Sequence, residues 1–99
     1  MKSNDEPITT EVSKLAGNKK VVASGRTTKG FIHDVEVDPG YRRRGLATEI
    51  IHELMMLGGE KLWVRIGNYA AISLYNKAGF KIAKEDGGFY LMSLMKDGD

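Results

Sequence analysis

Three adjacent arginines, Arg42, Arg43 and Arg44, run into Gly45-Leu46-Ala47, and this is the part of the sequence best suited to chemistry on an anion. They follow Asp38-Pro39-Gly40, which ends an apolar run, and precede residues whose apolar positions recur at helical spacing. A helix N-terminus presents backbone N–H groups without intrahelical partners and the positive end of the helix dipole, so it favours anions. Glycine at position 45 removes the Cβ that would hold a diphosphate off those N–H groups, and Ala47 keeps the first turn slim. The arginines add charge-assisted bonds, although three neighbours on one turn cannot all face the same ligand. The Gly-Lys-Ser/Thr ending of a Walker loop is missing, and only one of the three Rossmann glycines is present. Taken alone, the turn specifies an anion, and a solvated basic turn that merely starts a helix is the competing reading.

Proton-transfer chemistry has fewer candidates. His33 lies in Phe31-Ile32-His33-Asp34-Val35-Glu36-Val37, where alternation puts Phe31, His33, Val35 and Val37 on one face and Ile32, Asp34 and Glu36 on the other. A histidine there serves as a base at neutral pH or is an ordinary strand residue, and Glu36, on the opposite face, is the weaker candidate. His52 reads as an exposed helix residue, and Met55, Met56, Met92 and Met95 read as core fillers rather than metal ligands. The absence of cysteine excludes disulfides, thiolate metal sites and a cysteine nucleophile.

These residues need a small scaffold. Ninety-nine residues support one hydrophobic core, and 41% apolar with 28% charged residues is the composition of an ordinary globular protein. The net charge is +2, which argues against nucleic-acid binding as the main task. No run approaches the roughly 20 apolar residues of a membrane span, so a cytoplasmic location without membrane contact is expected. Residues 1–10 are polar and expected to form a flexible arm or a short lead into the first strand, with one domain over 11–96. Val12–Leu15 and Val21–Ala23 around Gly17-Asn18 read as an edge hairpin, and Gly25 to Gly30 as a turn-rich connector. A strand over Phe31–Val37, a helix from Leu46 closed by Gly58-Gly59, and a strand over Leu62–Ile66 follow. Asn68 is a good N-cap for a helix to Ala78, closed by Gly79. Lys81–Ala83 and Phe89–Met95 complete the pattern as antiparallel strands joined by Glu85-Asp86-Gly87-Gly88. The predicted fold class is α/β (α+β), a mixed, mainly antiparallel sheet flanked by two helices in the order ββ-β-α-β-α-ββ.

Two strings, taken together, go further. Arg42, Gly45 and Ala47 match the pattern Gln/Arg-x-x-Gly-x-Gly/Ala, and Asn68, Ala71, Leu74, Tyr75, Gly79 and Phe80 match Asn-x-x-Ala-x-x-Leu-Tyr-x-x-x-Gly-Phe. In this order and on these elements, they resemble the signatures of the GNAT N-acetyltransferases, over roughly Phe31 to Met95. Ribosomal-protein N-terminal acetyltransferases and polyamine acetyltransferases look nearest.

The resemblance implies acetyl-CoA as co-substrate, no metal, and a primary amine as acceptor, on a protein lysine or N-terminus. It implies that the backbone of Val35 and Val37 pairs with the pantetheine amides and that Arg42, Arg43, Arg44, Gly45, Leu46 and Ala47 hold the pyrophosphate. Asn68 is then expected on the pantetheine arm, and Tyr75 as the acid that protonates the departing thiolate. A tyrosine with a pKa near 10 stays protonated at neutral pH and is a competent acid toward a thiolate near about 8.5. Many relatives carry a glutamate base at the position of His33, and the ribosomal type carries another where Arg65 stands. That type also has more residues between the strand and Asn68 than the single Gly67 found here. Thirty residues precede Phe31, fewer than the family's usual strand and two helices need. The resemblance therefore implies a short form whose acceptor site is open to a large amine or completed by a second subunit in a homodimer. A non-catalytic CoA-binding or protein-interaction module and a nucleic-acid binder using Arg42–Arg44 with Lys19 and Lys20 are the alternatives.

Overall fold

The computed structural model describes residues 7–94. Among them are six strands and two helices: β1 (Thr9–Leu15), β2 (Val21–Thr28), β3 (Phe31–Val37), α1 (Leu46–Met56), β4 (Lys61–Arg65), α2 (Tyr69–Ala78), β5 (Phe80–Asp86) and β6 (Phe89–Leu94). This is the α+β order expected from the sequence. No helix among the described residues is long and apolar enough to cross a membrane. The chain divides into two compact units, residues 1–59 and 60–99.

In the first unit β1, β2 and β3 pair antiparallel in sequence order. Helix α1 covers one face of them because Ile50, Ile51 and Leu54, fully buried, form its apolar stripe. Each such side chain contributes about 1.5–3 kcal/mol on leaving water. Lys14 of β1 reaches across to α1, pairing with Glu53 and, at 3.4 Å, with Glu49. The first hairpin closes over Ala16–Lys20, where the Lys19 N–H donates to the Ala16 carbonyl at 2.8 Å. Strand β1 already begins at Thr9, so Thr9 and Thr10 of the stretch expected to be an arm are paired backbone. Residues 1–6 of that arm lie outside the described residues.

Expectations fail at three points in this unit, the simplest being Met56, expected in the core and found exposed. Gly25 does not open a connector; it lies inside β2, which runs on to Thr28. A Cβ at position 25 would stand 2.8 Å from Ile50 Cγ2 and Leu54 Cδ1, so glycine here admits α1 rather than breaking the strand. Strand β3 does not alternate cleanly either. Ser24 opposes Glu36 while Arg26 opposes His33, so Gly25 faces two residues, and the extra one, Asp34, sits at φ 56°. One inserted residue inverts the alternation beyond it. Ile32 and Val35 thus both face α1, and Glu36 shares the face of His33 instead of lying opposite it.

In the second unit β6 lies between β4 and β5, antiparallel to both. Leu62, Phe80 and Met92 are fully buried, and Val64 nearly so. Asn68 opens α2 and Gly79, in the left-handed conformation, closes it. Strand β5 extends to Asp86, past the expected Lys81–Ala83, because Lys84, Glu85 and Asp86 pair with Leu91, Tyr90 and Phe89. Backbone pairing thus holds residues whose polarity reads as a turn. Met95, expected to end β6, lies outside the described residues.

Candidate functional site

The junction of β3 and α1 is built on Asp38. Its N–H donates to the Val22 carbonyl at 2.8 Å, its Oδ1 accepts the Gly40 N–H at 2.9 Å, and its Oδ2 lies 3.0 Å from Lys20 Nζ. The Gly40 N–H and then Lys20 hold its carboxyl below the ordinary carboxylate value. Pro39–Tyr41 form a single 3-10 turn, after which Arg42 is extended and Arg43 takes φ 65°. The three arginines diverge, as neighbours on a turn must. Arg42 Nε donates to the Val37 carbonyl at 3.3 Å, while the Arg44 guanidinium lies 4.8 Å from the centre of the Tyr41 ring.

Gly45 stands at the N-cap of α1 with φ 79°, a conformation that L side chains adopt rarely. A Cβ there would meet nothing within 4 Å, so the backbone conformation, more than crowding, requires the glycine. No side chain caps the helix. The Gly45 carbonyl accepts from the Glu49 N–H at 3.1 Å, and the N–H groups of Leu46, Ala47 and Thr48 have no intrahelical acceptor. They border a cleft of about 200 Å³ lined also by Val37, Arg42 and Arg43. A larger open cleft of about 510 Å³ runs along Val21–Ser24 and Val35–Asp38, and Val37 and Arg42 line both. A free helix N-terminus, a positive dipole end and two arginines at the mouth fit a diphosphate. Val35 and Val37 line the larger cleft. The structure thus gathers Val35, Val37, Arg42, Arg43, Gly45, Leu46 and Ala47, while Arg44 turns to Tyr41.

His33 faces away from α1. Its Nε2 is 2.8 Å from Thr28 Oγ1 and its Nδ1 is 2.9 Å from Asp34 Oδ2. Arg26 lies 3.7 Å from the same carboxylate oxygen. Sequence reading missed Thr28, Asp34 and Arg26 as partners of this histidine, because the bulge that turns Asp34 toward it leaves no mark on an otherwise regular alternation.

In the second unit Asn68 Oδ1 accepts the Ala71 N–H at 3.2 Å, so its acceptor oxygen closes the N-terminus of α2. Tyr75 packs edge-on against Phe80 with ring centres 6.2 Å apart. Burial raises its pKa above the usual 10.0, which keeps the phenol protonated. Arg65 stacks over Phe89 at 5.0 Å, and Trp63, Asp86, Gly87 and Phe89 line an open pocket of about 380 Å³.

The fold is that of the acyl-CoA N-acyltransferases, an α+β order in which the uncapped N-terminus of α1 borders the smaller cleft. The acetyltransferase (GNAT) family matches residues 9–80. The chain belongs to that family. It is 38% identical over 87 residues to the [ribosomal protein bS18]-alanine N-acetyltransferase of Escherichia coli, covering 78% of this chain and 59% of the relative. It is 36% identical over 69 residues to an N-alpha-acetyltransferase of Saccharolobus solfataricus, covering 63% of this chain and 41% of the relative. The chain thus spans roughly half the length of these relatives. The PaiA N-acetyltransferase of Thermoplasma acidophilum, solved in complex with coenzyme A, has the same fold, with a TM-score of 0.77 at 17% identity over 89% of this chain and 61% of that one.

Proposed function

We propose that this chain transfers the acetyl group of acetyl-CoA to a primary amine, on a protein N-terminus or lysine, in the cytoplasm. The observation that carries the reading is the uncapped N-terminus of α1 at Gly45, opening on a cleft in a chain of this family. Relatives that act on protein N-termini support the acceptor class.

The thioester of bound acetyl-CoA supplies the activated acyl group. The main-chain N–H groups of Leu46 and Ala47 hold the pyrophosphate through the helix dipole, with Arg42 or Arg43 beside it. The backbone of Val35 and Val37 would hold the pantetheine arm, beside the Arg42 side chain whose Nε donates to the Val37 carbonyl. His33 takes up one proton that the incoming ammonium loses, so that the amine attacks with its lone pair free. Tyr75 gives its proton to the leaving thiolate, a role its burial favours by keeping the phenol protonated, and the second proton shed by the attacking nitrogen restores the phenol. Asn68 offers the pantetheine arm its side-chain NH2, while its oxygen accepts the Ala71 N–H.

Calorimetric titration with acetyl-CoA tests the binding, and thiol release with an N-terminal-alanine peptide or a lysine peptide tests the transfer. Binding with release is expected. Binding without release from any amine would leave a CoA-binding module, and no binding at high micromolar ligand would refute the reading.

A further inference from the structure

Strands β1, β2 and β3 carry a connected chain of polar side chains on the face away from α1. Thr9 Oγ1 lies 2.7 Å from Thr28 Oγ1, which lies 2.8 Å from His33 Nε2. His33 Nδ1 lies 2.9 Å from Asp34 Oδ2, with Arg26 3.7 Å from that oxygen. Register explains the meeting: Thr9 opposes Thr28 across β1 and β2, and the bulge at Asp34 brings the next residue's carboxylate beside the ring of His33. Among the described residues of these strands, Glu11, opposite Arg26, and Glu36 are the other charged groups on this face.

Proton positions follow from the chemistry of one group. An ionised carboxylate only accepts, so Nδ1 of a neutral His33 must carry the hydrogen and donate it to Asp34. Nε2 is then a bare lone pair, and the Thr28 hydroxyl must donate to it. With its hydrogen committed, Thr28 can only accept from Thr9. A single carboxylate thus directs the whole chain. This is the arrangement of hydroxyl, imidazole and orienting carboxylate that recurs wherever a histidine must take a proton from a hydroxyl.

We propose that Thr28, His33 and Asp34 form one proton-accepting unit, with the Thr28 hydroxyl as its contact with the acceptor amine. The proposal rests on the acyl-transfer function above and names the route by which the amine loses its proton. As the ammonium gives a proton to Thr28 Oγ1, the Oγ1–H bond breaks and its hydrogen passes to His33 Nε2. Thr28 ends unchanged, the amine neutral and the imidazole positively charged, facing Asp34. Asp34 acts through His33 and is a positioning residue; Arg26 holds Asp34 in turn.

The orientation is measurable without turnover. The imidazole of histidine in water favours the hydrogen on Nε2, so Nδ1–H in the folded protein would be a departure caused by Asp34. Nitrogen-15 spectra at about pH 8 resolve the tautomer, and the chain has only two histidines, so His52→Gln assigns the signals. The expected result is Nδ1–H for His33 in the unaltered chain and a return to Nε2–H in Asp34→Gly, glycine being at ease with φ 56°. In the transfer assay Thr28→Val, which keeps the shape and loses the hydroxyl, should lower kcat/KM roughly 10- to 100-fold, with Thr28→Ser restoring most of it. Nε2–H in the unaltered chain, or an unchanged tautomer in Asp34→Gly, overturns the unit. Equal rates for Thr28→Val and Thr28→Ser overturn the relay alone. No transfer by the unaltered chain, with the Nδ1–H tautomer present, overturns the acyl-transfer function and the relay with it.

Discussion

Helix α1 begins at a left-handed glycine with no side-chain cap, whereas α2 begins at Asn68, whose Oδ1 accepts the Ala71 N–H at 3.2 Å. Both helices are short, at 11 and 10 residues, so each should benefit from a cap of its own. Only α2 has one. With glycine at the N-cap, leaving α1 without a side-chain cap forgoes roughly a few tenths of a kcal/mol and keeps its N–H groups free for an anion. The difference separates the two ways a helix can serve a site. In the proposed function α1 serves with its backbone end, and α2, with its end closed, serves with a side chain, Tyr75.

The comparison breaks most visibly if α1 is given the anion it lacks. Ala47→Asp places a carboxylate in the first turn, where it competes for the same N–H groups and repels a diphosphate. Acetyl-CoA affinity should fall on the order of 1000-fold, from lost charged hydrogen bonds and repulsion together. Thermal stability should hold or rise slightly, since an acidic residue suits that end of a helix. A solvated turn that binds nothing would gain the stability and lose no affinity, so calorimetry and a melting curve together decide.

The matching change in α2 concerns its side chain. Tyr75→Phe should lower turnover on the order of 100-fold while leaving acetyl-CoA affinity nearly intact, the pattern of an interaction made in the transition state. Because burial raises the Tyr75 pKa, any loss of rate from phenol ionisation in the unaltered chain should set in at higher pH than for an ordinary tyrosine. Equal turnover in the two proteins would remove the tyrosine as the acid. Asn68→Ala tests the cap itself and should cost about 1 kcal/mol in a urea unfolding curve, with Asn68→Ser recovering most of it.

How legible these features are in sequence depends on what marks them. Glycine and proline mark the turn at Asp38-Pro39-Gly40 and the entry at Gly45, because each has a backbone property that no other residue shares. The helices follow from period, and their order with the strands fixes the fold class. The bulge does not follow from anything local: His33-Asp34-Val35 reads as perfect alternation, and aspartate at positive φ carries no signature. Its consequence, Glu36 on the face of His33, was therefore invisible, as were Thr28 and Asp34 as partners of the ring. Gly25 misleads in the opposite sense. It reads as punctuation, yet its missing Cβ is where Ile50 and Leu54 of α1 press against β2, a contact between residues far apart in sequence.

The smallest effect concerns what holds the open end open. Asp38 fixes the turn before α1 by accepting the Gly40 N–H and pairing with Lys20, and both depress its pKa below 3.8. A carboxyl whose folded pKa is depressed contributes stability above its unfolded value and loses it as pH falls through the folded one. The stability of the unaltered chain should therefore drop between about pH 5 and pH 2 with a contribution from this group. Asp38→Asn retains an acceptor for Gly40 but no charge for Lys20, so its stability at neutral pH should be slightly lower and its decline toward acid shallower. Lys20→Met should lower neutral stability likewise but leave part of the acid decline, since the Gly40 N–H, the larger cause, still depresses Asp38. Unfolding curves at several pH values resolve the three proteins. Parallel acid declines in all three would mean that the turn draws no stability from this charge, and that the conformation at Gly45 rests on backbone geometry alone.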